Sequence, residues 1–134
     1  MKTRRGFTLI EVMVAMMVFV GAVAGFCGFY VTTARLNESS RNLTQALNDA
    51  RVVMEAMRDT AQSGGLTGAA GVTGVYPQGT NLAPAFSLAS LQNEAIRSTY
   101  ANAAADPLQV TLQVTWDEWG RPRAASFDTL VTRR

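Results

Sequence analysis

Between Val12 and Val31, twenty consecutive residues, VMVAMMVFVGAVAGFCGFYV, carry no charge and no strongly polar side chain. A helix needs about 20 apolar residues to cross a hydrocarbon core, so this run predicts a membrane-spanning helix. Lys2, Arg4 and Arg5 stand immediately before it. The positive-inside tendency then holds that end in the cytoplasm and sends the remainder outward. Ala22-Val23-Ala24 has the small-residue look of a signal-peptide cleavage site, but the apolar run continues to Val31 and passes into an amphipathic pattern. A cut there would discard half of a continuous helix. Glu11, one turn into the apolar segment, fits neither a plain anchor nor a plain signal peptide. A carboxylate inside a bilayer is unfavourable by roughly 2.5–3.5 kcal/mol on insertion scales, so Glu11 either snorkels to the interface or meets a partner that neutralises it.

The segment Arg4-Arg5-Gly6-Phe7-Thr8-Leu9-Ile10-Glu11-Val12 resembles the processing motif of type IV prepilins and type II secretion pseudopilins. The resemblance covers a short stretch, but a basic leader, Gly-Phe, Thr-Leu-Ile-Glu and a long apolar run occur together and in order. It implies that a prepilin peptidase and N-methyltransferase cuts between Gly6 and Phe7 on the cytoplasmic side and methylates the new amine of Phe7. It also implies that Glu11 of one subunit meets the Phe7 amine of a neighbour during assembly. Such a pair offsets part of the desolvation of both charges in low dielectric. The partners implied are the peptidase, other pilin or pseudopilin subunits, an inner-membrane assembly platform, and membrane lipid before assembly. The expected location is the bacterial inner membrane, single-pass with the head outside the cytoplasm, followed by a pilus or pseudopilus.

Composition agrees with a non-enzymatic subunit. The chain of 134 residues has no histidine and a single cysteine, Cys27. That excludes an intramolecular disulfide and removes the commonest general base and metal ligand; Cys27 reads as a small packing residue. The formal charge of +2 belongs largely to the leader: without Lys2, Arg4 and Arg5, nine basic residues face ten acidic ones, a formal −1. Bulk charge therefore gives no support to nucleic-acid binding. Gly21 and Gly25 have the small-xxx-small spacing of close helix approach. Where many major pilins have a proline in the later part of this segment, this chain has Gly25 and Gly28, the expected place for local melting.

Beyond the apolar run, Leu36, Leu43, Leu47, Ala50, Met54, Met57 and Ala61 recur at helical intervals and mark one stripe. Arg51 with Glu55, Glu38 with Arg41 and Glu55 with Arg58 support a solvated opposite face. Ser63-Gly64-Gly65 ends the helix, and Gly68, Gly71, Gly74, Pro77 and Gly79 read as a surface loop without regular structure. Residues 82–93 fit either a short helix or an extended crossing. From Leu108 to Trp116 apolar and polar residues alternate strictly, which defines a half-buried strand. Asp117 to Arg123, with Gly120 and Pro122, read as a hairpin connection, Ala124 to Thr132 as the returning strand, and Ile96 to Tyr100 as a third.

The expected fold class is thus α+β and pilin-like, a long N-terminal helix packed on a small antiparallel sheet. Its expected parts are the leader at 1–6, the apolar helix at 7–31, the amphipathic helix at 32–62, the Gly/Pro-containing loop at 63–93 and the sheet at 94–134. No catalytic residue, metal site or cofactor is expected. Asp117, Glu118 and Asp128 read as solvated turn carboxylates because they lack oxygen-ligand spacing, while Trp119 with Arg121 and Arg123 is a weak aromatic-plus-basic cluster. The missing disulfide, the short head and the absent helix proline favour a minor pilin that primes or modifies a pilus. Competing readings are a minor pseudopilin, a bitopic protein whose head binds a ligand without polymerising, and a DNA-uptake tip subunit using Trp119, Arg121 and Arg123.

Overall fold

The structure, a computed structural model, describes residues 8–88 and 90–132. Its elements are α1 (Leu9–Gly64), a single-turn helix α2 (Val72–Val75), a 3-10 turn (Ala83–Phe86), β1 (Ala95–Tyr100), β2 (Leu108–Glu118) and β3 (Arg121–Val131). The sheet is antiparallel with order β1-β2-β3. The expected fold class holds: a long N-terminal helix packs on three antiparallel strands in a pilin-like α+β arrangement. The chain divides between Glu38 and Ser39 into two units.

In the first unit every described residue is exposed, including Phe19, Phe26 and Phe29. Among the described residues α1 is the one helix long and apolar enough to cross a membrane. It runs unbroken through Gly21, Gly25 and Gly28, so the expected melting point is helical here. The hydroxyls of Thr32 and Thr33 each donate at 3.0 Å to the carbonyls of Gly28 and Phe29, which satisfies polar side chains just past the apolar run.

The second unit is the head. Its part of α1 buries Ala46, Asp49, Ala50, Val53, Met57 and Ala61. This stripe is rotated from the expected one: Ala50, Met57 and Ala61 are buried, Leu47 and Met54 are half-buried, and Leu43 is exposed, as is Leu36 in the first unit. Side-chain volume explains the choice. The inward face of β2 is bulky, with Leu108, Val110, Leu112, Val114 and Trp116 all buried, and alanines at 46, 50 and 61 allow the helix to sit close enough to fill the space at interior density. Each fully buried Leu, Val or Met contributes about 1.5–3 kcal/mol relative to exposure.

The segment after α1 is less of a surface loop than its glycines suggest. Gly65 takes φ +84°, which favours glycine, and ends the helix. The chain then folds back, with Val72 N–H donating to the Gly65 carbonyl at 3.1 Å and Thr73 N–H to that of Leu66 at 3.2 Å. Leu66, Val72, Tyr76, Leu82 and Ala83 all enter the core. Tyr76 joins three elements: its carbonyl accepts from Tyr100 Oη at 2.6 Å, its hydroxyl lies 3.2 Å from Thr60 Oγ1 on α1, and its ring stacks on Phe86 at 6.0 Å. The described residues of 82–93, which are 82–88 and 90–93, form the 3-10 turn and irregular backbone.

This segment also covers one edge of the sheet. Leu82 N–H donates to the Ile96 carbonyl at 2.8 Å and Gly79 N–H to that of Ser98 at 3.0 Å, while Asn81 Oδ1 accepts from Ile96 N–H at 3.0 Å. The Ile96 amide and carbonyl and the Ser98 carbonyl are thereby occupied, which blunts an edge that would otherwise template further strands.

The hairpin between β2 and β3 is tighter than expected. Asp117 and Glu118 belong to β2, Arg121 to Arg123 belong to β3, and only Trp119 and Gly120 form the turn. Both have positive φ, +50° and +72°, the requirement of the two-residue turn whose twist matches that of the strands. Strand pairing therefore extends to Glu118 opposite Arg121, and the alternation of β2 carries Glu118 to the same buried face as Trp116.

Candidate processing and assembly site

Of the residues expected to be processed, Lys2, Arg4, Arg5, Gly6 and Phe7 lie outside the described residues. Glu11 lies within them, in the first turn of α1. The helix begins because Thr8 caps it. Thr8 Oγ1 accepts from Glu11 N–H at 3.4 Å, and the Thr8 carbonyl accepts from Glu11 and Val12 N–H at 3.1 and 3.3 Å. Thr8-Leu9-Ile10-Glu11 has the spacing of a capping box, a signal legible in the sequence and missed in reading it only as a processing motif. Placing Glu11 three residues after the cap sets its carboxylate against the positive end of the helix dipole, a stabilisation of roughly 0.3–1 kcal/mol.

Along the same helix face, Glu11 shares a shallow groove with Val12, Ala15, Met16 and Phe19. Cys27 is exposed.

In the head, the expected solvated carboxylates prove to be three different things. Asp117 accepts at 2.7 Å from Asn93 Nδ2, and Asp128 accepts from the Thr111 hydroxyl across the β2–β3 pair. Glu118 is the correction: it is buried, not solvated. Its Oε1 accepts from Asn42 Nδ2 at 3.0 Å, and its Oε2 accepts from Ser39 Oγ at 3.3 Å and Arg123 Nε at 3.1 Å. Three donors, one of them cationic, compensate the desolvation of this carboxylate. The hairpin tip is thereby fastened to the start of the head's part of α1.

The aromatic-plus-basic cluster is weakened by the same contact, because Arg123 is committed to Glu118 while Trp119 is half-exposed at the turn. Among the described residues no group of three His, Cys, Asp or Glu side chains could hold a metal ion. Two groups in the head are electrostatically perturbed. Burial raises the Tyr100 hydroxyl above its ordinary value, against a lowering contribution from Ser98. Burial also raises Glu94, aided by the nearby Asp49 and opposed by the Leu91 and Ser90 amides.

No curated protein and no solved structure matches the chain. The first twenty residues do match a known family model, that of the prokaryotic N-terminal methylation motif. The match covers residues 1–20 and thus includes the leader, the Gly6-Phe7 junction, the capping residue Thr8, Glu11 and the start of the apolar run. The motif and the apolar helix fit a single-pass inner-membrane protein. Ahead of an exposed apolar helix and an α+β head, the chain thus carries the prokaryotic N-terminal methylation motif, the type IV prepilin-like signal.

Proposed function

We propose that the chain is a minor pilin, cut between Gly6 and Phe7 by a prepilin peptidase, methylated on Phe7 and incorporated into a type IV pilus whose assembly it primes or modifies. The single observation that carries this reading is the methylation motif at residues 1–20 leading directly into an exposed apolar helix with Glu11 in its first turn. Lys2, Arg4 and Arg5 supply the cytoplasmic anchor. Before assembly the apolar part of α1 lies in lipid; in the filament, neighbouring subunits replace the lipid, and the Phe7 amine of one subunit meets Glu11 of another. The absence of a cysteine pair and of a proline in the apolar run favours a minor over an abundant subunit. The role is structural, with no reaction catalysed.

Intact mass and N-terminal sequencing of the protein from cells that hold a prepilin peptidase test the first step. The expected product begins at methylated Phe7, and Gly6→Ala retains the leader. A mature chain beginning elsewhere, or wild-type size in a strain lacking the peptidase, overturns the reading. Incorporation into sheared pili, as opposed to retention in the membrane with loss of protein secretion on deletion, distinguishes a pilus subunit from a secretion pseudopilin.

A further inference from the structure

The head contains a second buried carboxylate contact, between α1 and the segment before β1. Asp49, on the sheet-facing stripe of α1, is 5% exposed, and its Oδ2 is buried without a hydrogen-bond partner. Glu94 immediately precedes β1, and continuing the β1–β2 register by one residue places it opposite Trp116 on the same inward face. Its Oε2 accepts from the amides of Ser90 and Leu91 at 3.1 and 3.2 Å, closing the Ser90–Glu94 turn. Its Oε1 is buried and, like Asp49 Oδ2, has no partner. Asp49 is the charged side chain whose proximity bears on Glu94.

Two buried carboxylate oxygens that face a common contact and accept from no donor repel each other when both groups are ionised. One proton removes the conflict. We propose that Glu94 keeps its proton on Oε1 and donates it to Asp49 Oδ2, so that an acid–carboxylate hydrogen bond clasps the Ser90–Glu94 turn to α1 and opens when Glu94 ionises. The groups acting on Glu94 are Asp49 from α1 and the Ser90 and Leu91 amides of its own turn. From β2 the neighbour in register is Trp116, which does not titrate and whose buried Nε1 also has no hydrogen-bond partner, while Asp117 lies on the alternate position and is bound by Asn93. Arg97 of β1 is on the exposed face.

The clasp has a wider effect because the turn it holds is also tied to the hairpin. Asp117 N–H donates to the Gln92 carbonyl at 2.8 Å, and Asn93 reaches Asp117. Loss of the proton therefore loosens a segment that bridges α1 and β2. The raised affinity of Glu94 for its proton agrees with this arrangement, burial being the largest cause. A group with a raised folded-state value stabilises the fold below its unfolded value and loses that contribution as pH rises through the folded one. This clasp is thus fastened by acid, opposite to the behaviour of most native carboxylates.

The test uses the full-length chain in detergent micelles, with carboxyl-carbon NMR of Glu94 and the hydrogen-exchange protection factor of the Asp117 amide, which donates to the Gln92 carbonyl of the same turn, across its titration. The expected result is a Glu94 midpoint above the ordinary value of 4.5 that falls in Asp49→Asn, and protection that drops about tenfold as the pH passes that midpoint. Glu94→Gln, whose amide donates to Asp49 at every pH, is expected to keep the acid-level protection throughout. A Glu94 midpoint at or below the ordinary value, a midpoint unmoved by Asp49→Asn, or a wild-type drop in protection that persists in Glu94→Gln overturns the proposal. None of these readouts depends on processing or filament assembly.

Discussion

Asn42 Nδ2 on α1 donates a 3.0 Å hydrogen bond to Oε1 of Glu118 on β2, joining residues 76 positions apart. Glu118 stands at the last position of its strand, where the turn through Trp119 and Gly120 begins. The same carboxylate receives Ser39 and Arg123, so a single buried group connects the helix to both strands of the hairpin. Glu118→Ala leaves these donors without their acceptor and is expected to lower head stability by about 2–3 kcal/mol; Asn42→Ala, which removes one of three donors, is expected to cost about 1 kcal/mol. Urea unfolding of the full-length chain in detergent, followed by near-ultraviolet circular dichroism, measures both.

Glu11 is expected to matter after processing and not before it. Glu11→Ala should give a chain of mature mass whose recovery in filaments falls at least about tenfold, equivalent to roughly 1.4 kcal/mol of subunit association. The comparison is mass spectrometry of the membrane fraction against quantification in the sheared fraction. Equal incorporation of wild type and variant refutes the pairing with the Phe7 amine.

The Tyr100 hydroxyl donates at 2.6 Å to the Tyr76 carbonyl, and burial raises it above its ordinary value of 10.0. Its contribution is therefore fully present below the unfolded value and is lost as pH rises through the folded one. The head should lose stability above about pH 10. Tyr100→Phe removes this alkaline slope and costs about 1 kcal/mol at neutral pH through the lost hydrogen bond. Tyrosinate absorbance during pH titration, paired with thermal melts, reports both effects.

Two glycines of α1 should respond oppositely to alanine. A Cβ at Gly64 meets the Ala70 carbonyl oxygen, too close to be tolerated, whereas one at Gly21 meets nothing within 4 Å. Gly64→Ala should therefore destabilise the head by about 1–3 kcal/mol. Gly21→Ala should favour the isolated helix by up to about 1 kcal/mol. If Gly21→Ala also reduces filament yield, the space at that position belongs to a neighbouring subunit. Thermal melts and filament yield separate the two cases.

The sequence by itself determined what is written in consecutive positions. The leader, Gly6-Phe7, Glu11 and the apolar run to Val31 identify the signal, because a peptidase and a bilayer both read a contiguous segment. The alternation from Leu108 to Trp116 likewise identified β2 and its buried face, since strand geometry imposes a period of two on any half-covered sheet. Continuing that alternation by two residues would have placed Glu118 inside, yet its charge and the following glycine and proline argued for a turn. Similarly, the glycines between Gly64 and Gly79 argued for a surface loop, although Leu66, Val72 and Tyr76 fill the core.

The tertiary structure alone decided which side of the amphipathic helix is covered. Leucines at 43 and 47 are more hydrophobic than the alanines at 46 and 50, but the bulk of β2 selects the small residues for contact. That choice turns Asp49 inward with them and brings it to Glu94, and it places Ser39 and Asn42 over Glu118. Long-range partners of this kind leave no local periodicity, because whether a carboxylate is solvated or buried depends on what the opposite element presents and how closely the two can pack.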